Sequence, residues 1–284
     1  MSSDLIIRPS SLTTFADCPR RWAARHLREE VAAAGYTASR PLAMSAGAAV
    51  GSGVHAAAAY TLGQKIQTGG ASMGSDTDAE EAGILEIRER VEKEGFDTDK
   101  ATPDLNTAEK QIRRMSRAYR RSDAAAETPL QSEERLEAVI ADGVALSGQV
   151  DALMVGDPDQ TVRDLKTGVS RRANAAQYGA YALIWRAHGH RPQGLVEDYL
   201  KRVPLAHEQP MPTAHSIDVQ TAMFEAWETI DAISRAVADF RQRAADPNGR
   251  PPNMAFRANP ASSLCSARWC PAWGSDFCRA HLTD

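Results

Sequence analysis

The chain has 284 residues, 43% apolar and 25% charged, enough to bury one large core or two small ones without disulfides. No apolar run approaches a bilayer span, and no secretory leader is expected, because Ser2, Ser3 and Asp4 precede only a short apolar step. A net charge of -4 excludes a surface coated with basic residues for nonspecific duplex binding, and four cysteines in a chain expected to be cytoplasmic point to burial or metal rather than disulfides.

Ser10 or Ser11 can cap a short helix through Asp17, and Pro19 opens a second helix carrying Arg20, Arg21, Trp22, Arg25 and His26. Cys18 sits at the joint and, taken alone, reads as a small buried apolar residue. Gly47 to Gly53 is rich in Gly, Ala and Ser and is expected to open an Ala-rich helix holding His55 in about its first turn. His55 has no polar companions on that helix and gains weight as a ligand only if folding brings it to Asp151.

A polar loop from Gly69 to Asp78 precedes a helix from Ala79 to about Glu94 and a turn through Pro103. The next predicted helix, Asn106 to Arg121, starts on a capping-box-like Asn106 and Glu109. Its apolar face is Ala108, Ile112, Met115 and Tyr119; Lys110, Arg114, Arg117 and Arg121 form the other, widened by Arg113 and Arg120. Six cations thus follow Glu109 without an acid, and such a stripe either faces water or meets backbone phosphates. Lys110, Arg113, Arg114, Arg117 and Arg121 are therefore candidate DNA contacts.

Glu134 to Asp142 reads as a strand that turns at Asp142 and Gly143 into the stretch from Val144 to Gly168. Apolar residues there recur with period two on both sides of Gly156, Asp157, Pro158 and Asp159, which predicts a hairpin. The turn brings Asp151 within one or two pairs of Asp164 and Lys166, while alternation puts Asp164 and Lys166 on one face and Leu165 on the other. Two carboxylates and an ammonium are costly to bury unless paired or bridged by metal. Either a surface salt bridge or a hard divalent cation on two aspartates and a backbone carbonyl satisfies that condition. In the second case Lys166 orients or deprotonates the attacking water.

A helix from about Arg172 to His188 stacks Gln177 and Tyr181 one turn apart. Gly194 to Val203 reads as a strand, and Val219 to Ala244 as a long helix burying Phe224, Trp227, Ile230, Ile233, Val237 and Phe240. Beyond Pro247, Gly249, Pro251 and Pro252 the tail carries Cys265, Cys270 and Cys278 among Trp269, Trp273 and Phe277. Such crowding in a segment too short to form its own core points to a bound metal or cluster, with Cys18 as the fourth thiolate.

Together these parts resemble the RecB-type branch of the PD-(D/E)XK nucleases and, within it, iron-sulfur exonucleases such as the CRISPR-associated adaptation nuclease and the AddB nuclease domain. Ser-Leu-x-x-Phe-x-x-Cys-Pro-x-Arg-Trp from Ser11 to Trp22 is similar to the family's opening, and Gly51-x-x-x-His55 to its metal-binding histidine motif. Glu134 resembles an acid found on the strand before Gly148-x-x-Asp151. Asp164-Leu165-Lys166-Thr167-Gly168 and Gln177-x-x-x-Tyr181 match the last two motifs.

The resemblance implies an α/β fold: a restriction-endonuclease-like core with a central mixed sheet flanked by helices, a helical insertion over 61–130 and a Cys-rich tail over 246–284. It implies Mg2+ or Mn2+ on His55, Asp151, Asp164 and the Leu165 carbonyl, Lys166 at the water, and Gln177 and Tyr181 beside lysine and DNA. It further implies exonuclease activity on single-stranded DNA ends and a 4Fe-4S cluster on Cys18, Cys265, Cys270 and Cys278, with recombination or CRISPR adaptation proteins as partners. The alternatives are a weakly active DNA-binding partner of the same fold or a zinc-stabilised variant. The tail spacing is wider than the family's usual Cys-x-x-Cys pattern, which leaves open a zinc site using His281 or His26.

Overall fold

The computed structural model describes residues 5–37, 40–127, 129–154, 160–172, 174–246 and 248–279. A short strand, β1 (Leu5–Ile7), leads into α1 (Leu12–Asp17), α2 (Pro19–His26) and α3 (Arg28–Ala33). Pro19 occupies the first turn of α2, where its missing amide costs nothing, and Cys18 is the extended residue between the two helices.

After β2 (Met44–Ser45) the chain enters α4 (Ala46–Gln67), whose N-cap Ser45 accepts a hydrogen bond from the Ala48 amide. The Gly- and Ala-rich stretch is therefore inside the helix, and His55 falls in its third turn instead of its first. α5 (Asp76–Glu94) is capped by Ser75; β3 (Phe96–Asp97) pairs with β2; α6 (Leu105–Arg120) is capped by Asp104, ahead of the expected Asn106. A single turn, α7 (Asp123–Ala126), follows.

β4 (Pro129–Ala141), β5 (Val144–Met154) and β6 (Gln160–Gly168) form the centre of the sheet. Gly143, at φ +70°, supplies the left-handed residue that the β4–β5 turn needs. The turn expected at Gly156 to Asp159 lies outside the described residues. α8 (Ala175–Ala187), β7 (Pro192–Lys201), β8 (Thr213–Ile217) and α9 (Val219–Ala244) complete the order. The main sheet of the described residues runs β1-β5-β6-β7-β8, with β4 also paired to β5. β1–β5 and β6–β7 are parallel, while β4–β5, β5–β6 and β7–β8 are antiparallel. The mixed sheet expected from the sequence is thus present, and β1 and β8 are additions to it.

Helices cover both faces. Val50, Val54, Ile87, Ile112, Met115 and Tyr119 of α4, α5 and α6 enclose Leu165 and Leu200 from the sheet. The segment 61–130 shares this core and begins in the middle of α4, so it does not stand apart from the sheet. Elsewhere α8 and α9 pack with Val162, Leu195 and Val150.

α9 buries Val219, Ala222, Ala226, Ile230, Ile233, Val237 and Phe240, the last four contributing roughly 1.5–3 kcal/mol apiece. Phe224 and Trp227, expected inside, are 63% and 39% exposed. The face turned to α8 is instead that of Ala222 and Ala226, where the two helices come so close that a Cβ added to Gly179 of α8 would lie 1.9 Å from the Ala222 carbonyl oxygen. The tail folds back onto the first helices: Arg20 donates to the carbonyls of Phe256 and Asn253, and Asn259 to that of Asp17.

Candidate active site

The site forms where the central strands part. Ala152↔Arg163, Leu153↔Val162 and Met154↔Thr161 set the β5–β6 register, which places Asp151 opposite Asp164 one step further on. There the Asp151 carboxylate takes the place of a ladder carbonyl: its Oδ2 accepts from the Leu165 amide at 2.6 Å. Leu165 itself is 3% exposed and anchored among α4–α6. Asp164 is buried, with Oδ2 2.5 Å from the Lys166 ammonium.

α4 supplies the fourth wall. Gly51 lets it approach β6 closely, since an added Cβ would meet Thr167 Oγ1 at 2.7 Å. One turn on, His55 Nδ1 lies 3.0 Å from Asp151 Oδ1, which fulfils the expectation that folding carries this imidazole to the hairpin.

β4 contributes an acid that sequence reasoning placed one residue off. Ser132↔Ala152 and Glu134↔Val150 bracket Glu133, whose φ of +53° is the left-handed value among the described non-glycine residues. Such a conformation costs about 1–2 kcal/mol for an L-residue. It directs the Glu133 carboxylate to the site, where Gln149 Nε2 donates to it at 2.6 Å, while Glu134 is exposed. His55, Glu133 and Asp151 each offer a ligand atom within 4.8 Å of the others.

The charges are unevenly satisfied. Burial, then the Asp151 charge, pushes Glu133 up to about 7; burial likewise lifts Asp164 to about 6 against the pull of Lys166. For His55, burial opposes protonation but the Asp151 carboxylate prevails and raises it to about 9. Asp151 is held below its ordinary value because His55 and its hydrogen bond outweigh burial. Lys166, despite burial, is raised by Asp164 and Asp151 and stays an ammonium.

On α8, Gln177 Nε2 donates to the Tyr181 hydroxyl at 3.0 Å, both buried. Lys166 instead lies over the ring of Tyr178, 5.9 Å from its centroid. The Tyr178 hydroxyl donates at 2.6 Å to Glu197, a fully buried acid that also pairs with Arg171 and stands beside Asp164 in the β6–β7 register. Neither Tyr178 nor Glu197 was singled out from the sequence, because each sits in a strand or helix pattern that reads as plain core.

Four of the six cations of the α6 stripe are engaged within the fold. Arg113 and Arg117 pair with Glu80 of α5 at 2.9 and 2.6 Å, and Arg114 donates to the carbonyls of Leu205 and His207. Arg120 is buried against Asp76, while Lys110 and Arg121 are exposed. The acids absent from α6 itself come from α5. At the tail, Cys18, Cys270 and Cys278 are buried and Cys265 half-buried. Burial and the sulfurs of Cys270, Cys18 and Cys278 push the Cys265 thiol up to about 11. His281 lies outside the described residues.

The profile of the PD-(D/E)XK nuclease superfamily matches residues 7–278. The chain belongs to that superfamily. Among solved structures it is similar to the "Putative exonuclease" of Eubacterium rectale, at 11% identity over 92% of this chain and 86% of that one, with a TM-score of 0.50. At that identity the likeness bears on the fold, and it agrees with a PD-(D/E)XK core of mixed sheet flanked by helices. The structure of SSO0001 aligns over 36% of this chain and 50% of its own length, at 16% identity and a TM-score of 0.24. No curated protein sequence matches. No helix among the described residues is long and apolar enough to cross a membrane.

Proposed function

We propose that this nuclease is a Mg2+- or Mn2+-dependent DNA exonuclease acting on single-stranded ends. The observation that carries the reading is the convergence of His55, Glu133 and Asp151 within 4.8 Å, next to the buried Asp164 and its partner Lys166. Three acids and an imidazole with Glu133 and Asp164 raised form a donor set short of positive charge, which a hard divalent cation fits. Asp151, Asp164, His55 and the Leu165 carbonyl would hold it, with Glu133 added to the set.

When bound, the cation would polarise the phosphate and make its water acidic enough to attack near neutral pH. Lys166, kept protonated by Asp164, orients that water by donating to it and offsets the charge that builds on the phosphoryl oxygens. The Tyr178 ring and the Gln177–Tyr181 pair fix one flank of the lysine and of the acids. α4 borders the opposite flank, held close to β6 by the Gly51–Thr167 contact.

We further read the four cysteines as ligands of a structural 4Fe-4S cluster that ties the tail to α1 and α2. The support is the placement of the thiols: Cys18, Cys270 and Cys278 are buried and Cys265 half-buried where the tail packs on α1 and α2. A cytoplasmic location and partners in recombination or CRISPR adaptation belong to the same reading.

End-labelled single strands and duplexes incubated with Mg2+ or Mn2+ test the activity. Progressive shortening of the single strand, abolished in Asp164→Ala and in Lys166→Ala, is expected; undiminished degradation by both variants contradicts the site. Protein purified without oxygen is expected to be brown and to lose that colour in Cys18→Ala.

A further inference from the structure

Two cavities meet at the first turns of α4. One, of about 670 Å³, contains His55 and Glu133; the other, of about 470 Å³, contains Lys166 and lies toward the tail; Gly47, Ala48 and Thr167 line both. Their electrostatics differ. The first is lined by Glu86 and Glu133 against Arg90, whereas the second gathers Lys166, Arg171, Arg172, Arg202 and Arg268 against one lining acid, Asp99.

We propose that the second cavity is a nucleotide subsite that binds one phosphate and one unpaired base of a single DNA strand whose neighbouring phosphate is at the acidic site. This rests on the nuclease reading above and names the part of the substrate that it grips. The groove's charge pattern suits that division: a cation-binding acidic end for the reacting phosphate, and a guanidinium-lined end for the next one.

The guanidinium groups differ in availability. Arg202 is buried and held by both oxygens of Asp99, a closed pair that fixes the cavity floor beneath α4 and leaves the exposed cations to meet the phosphate. Arg172 is exposed, and the Arg268–Asp97 pair is of the solvent-accessible kind that exchanges partners at little cost, whereas Arg171 is committed to the buried Glu197. Trp269 provides the other half of the recognition. It is half-exposed on the cavity wall, with the Arg268 guanidinium 4.7 Å from its ring centroid, so one face is already backed by a cation and a base can stack on what remains. A duplex keeps its bases stacked inward and cannot use such a platform, which selects a single strand.

Both residues come from the cysteine tail, between Cys265 and Cys270. The tail thus supplies a wall of the substrate groove as well as a link to α1 and α2.

The test is binding of a labelled oligothymidine of about ten residues, followed by anisotropy with EDTA present so that no cleavage occurs. Trp269→Ala is expected to weaken binding of this strand about tenfold and leave a duplex of equal length unaffected, with Trp269→Phe restoring it. Arg172→Ala, an exposed position that does not threaten folding, should reduce the slope of log affinity against log salt by about 0.7. Wild-type affinity and salt slope in both Trp269→Ala and Arg172→Ala overturn the subsite. Asp164→Asn should still bind the strand in EDTA and fail to cleave it once Mg2+ or Mn2+ is supplied in excess. Failure of the wild type to cleave any strand with metal would instead overturn the nuclease reading.

Discussion

Strand β6 carries two charge clusters one residue apart, each around a buried aspartate, and they are built to opposite ends. On one side of the strand Arg163 makes a bidentate pair with Asp198 at 2.8 and 2.6 Å and reaches Glu127 at 2.7 Å. On the other, Asp164 faces Lys166 in a site where Asp151, Glu133 and His55 crowd together. Burial lifts both Asp198 and Asp164, but Asp198 has each oxygen bonded to one guanidinium. Asp164 shares a single ammonium with Asp151 and stands at about 6. The same residue types on one strand therefore separate into a closed pair that holds the sheet and an acid-rich cluster that has room for a cation.

Substitutions should divide along that line. Asp164→Asn is expected to lower metal-dependent turnover about 10³-fold or more while the melting temperature stays near wild type. Asp198→Ala should do the reverse, costing about 3–5 kcal/mol in denaturant unfolding because it strands a buried Arg163. Equal destabilisation by the two would erase the distinction. Glu133→Gln should weaken Mn2+ binding at least about tenfold, read by calorimetry.

The same residue predicts a pH signature in metal-free protein. Its folded value of about 7 lies above the ordinary 4.5, so the native state holds the proton more tightly than the unfolded chain. The resulting stabilisation is complete below about 4.5 and is lost as pH rises through about 7. Glu133→Gln should flatten this part of the stability profile, and an unchanged profile would place the Glu133 carboxylate outside the cluster. The smallest effect is expected from Glu134→Gln, which changes stability by less than about 0.5 kcal/mol and leaves cleavage intact.

That last pair shows where the sequence stopped being readable. Period-two alternation was sufficient to put Asp151, Asp164 and Lys166 together, because in a regular ladder face and register follow from spacing. The family resemblance pointed to Glu134 as the β4 acid, whereas the carboxylate at the cluster is that of Glu133, which leaves the ladder conformation that alternation assumes. The position of His55 was legible as a partner of Asp151 but not as a third-turn residue, since Ser45 rather than the glycines starts α4. The basic stripe of α6 looked unpaired because its acids, Glu80 and Glu81, belong to another helix. Phe224 and Trp227 looked buried because helical periodicity cannot foresee that the face of Ala222 and Ala226 is the one turned to α8. In each case local pattern was right about the element, and a neighbour in space decided its facing.

The most direct test is Mn2+ binding, measured by calorimetry or electron paramagnetic resonance on wild type and Asp151→Asn. A saturable site in the wild type that is lost in Asp151→Asn is the predicted result. A wild-type protein that binds no Mn2+ at millimolar concentration, or a variant that binds it equally well, would contradict a metal centre where α4 meets the hairpin.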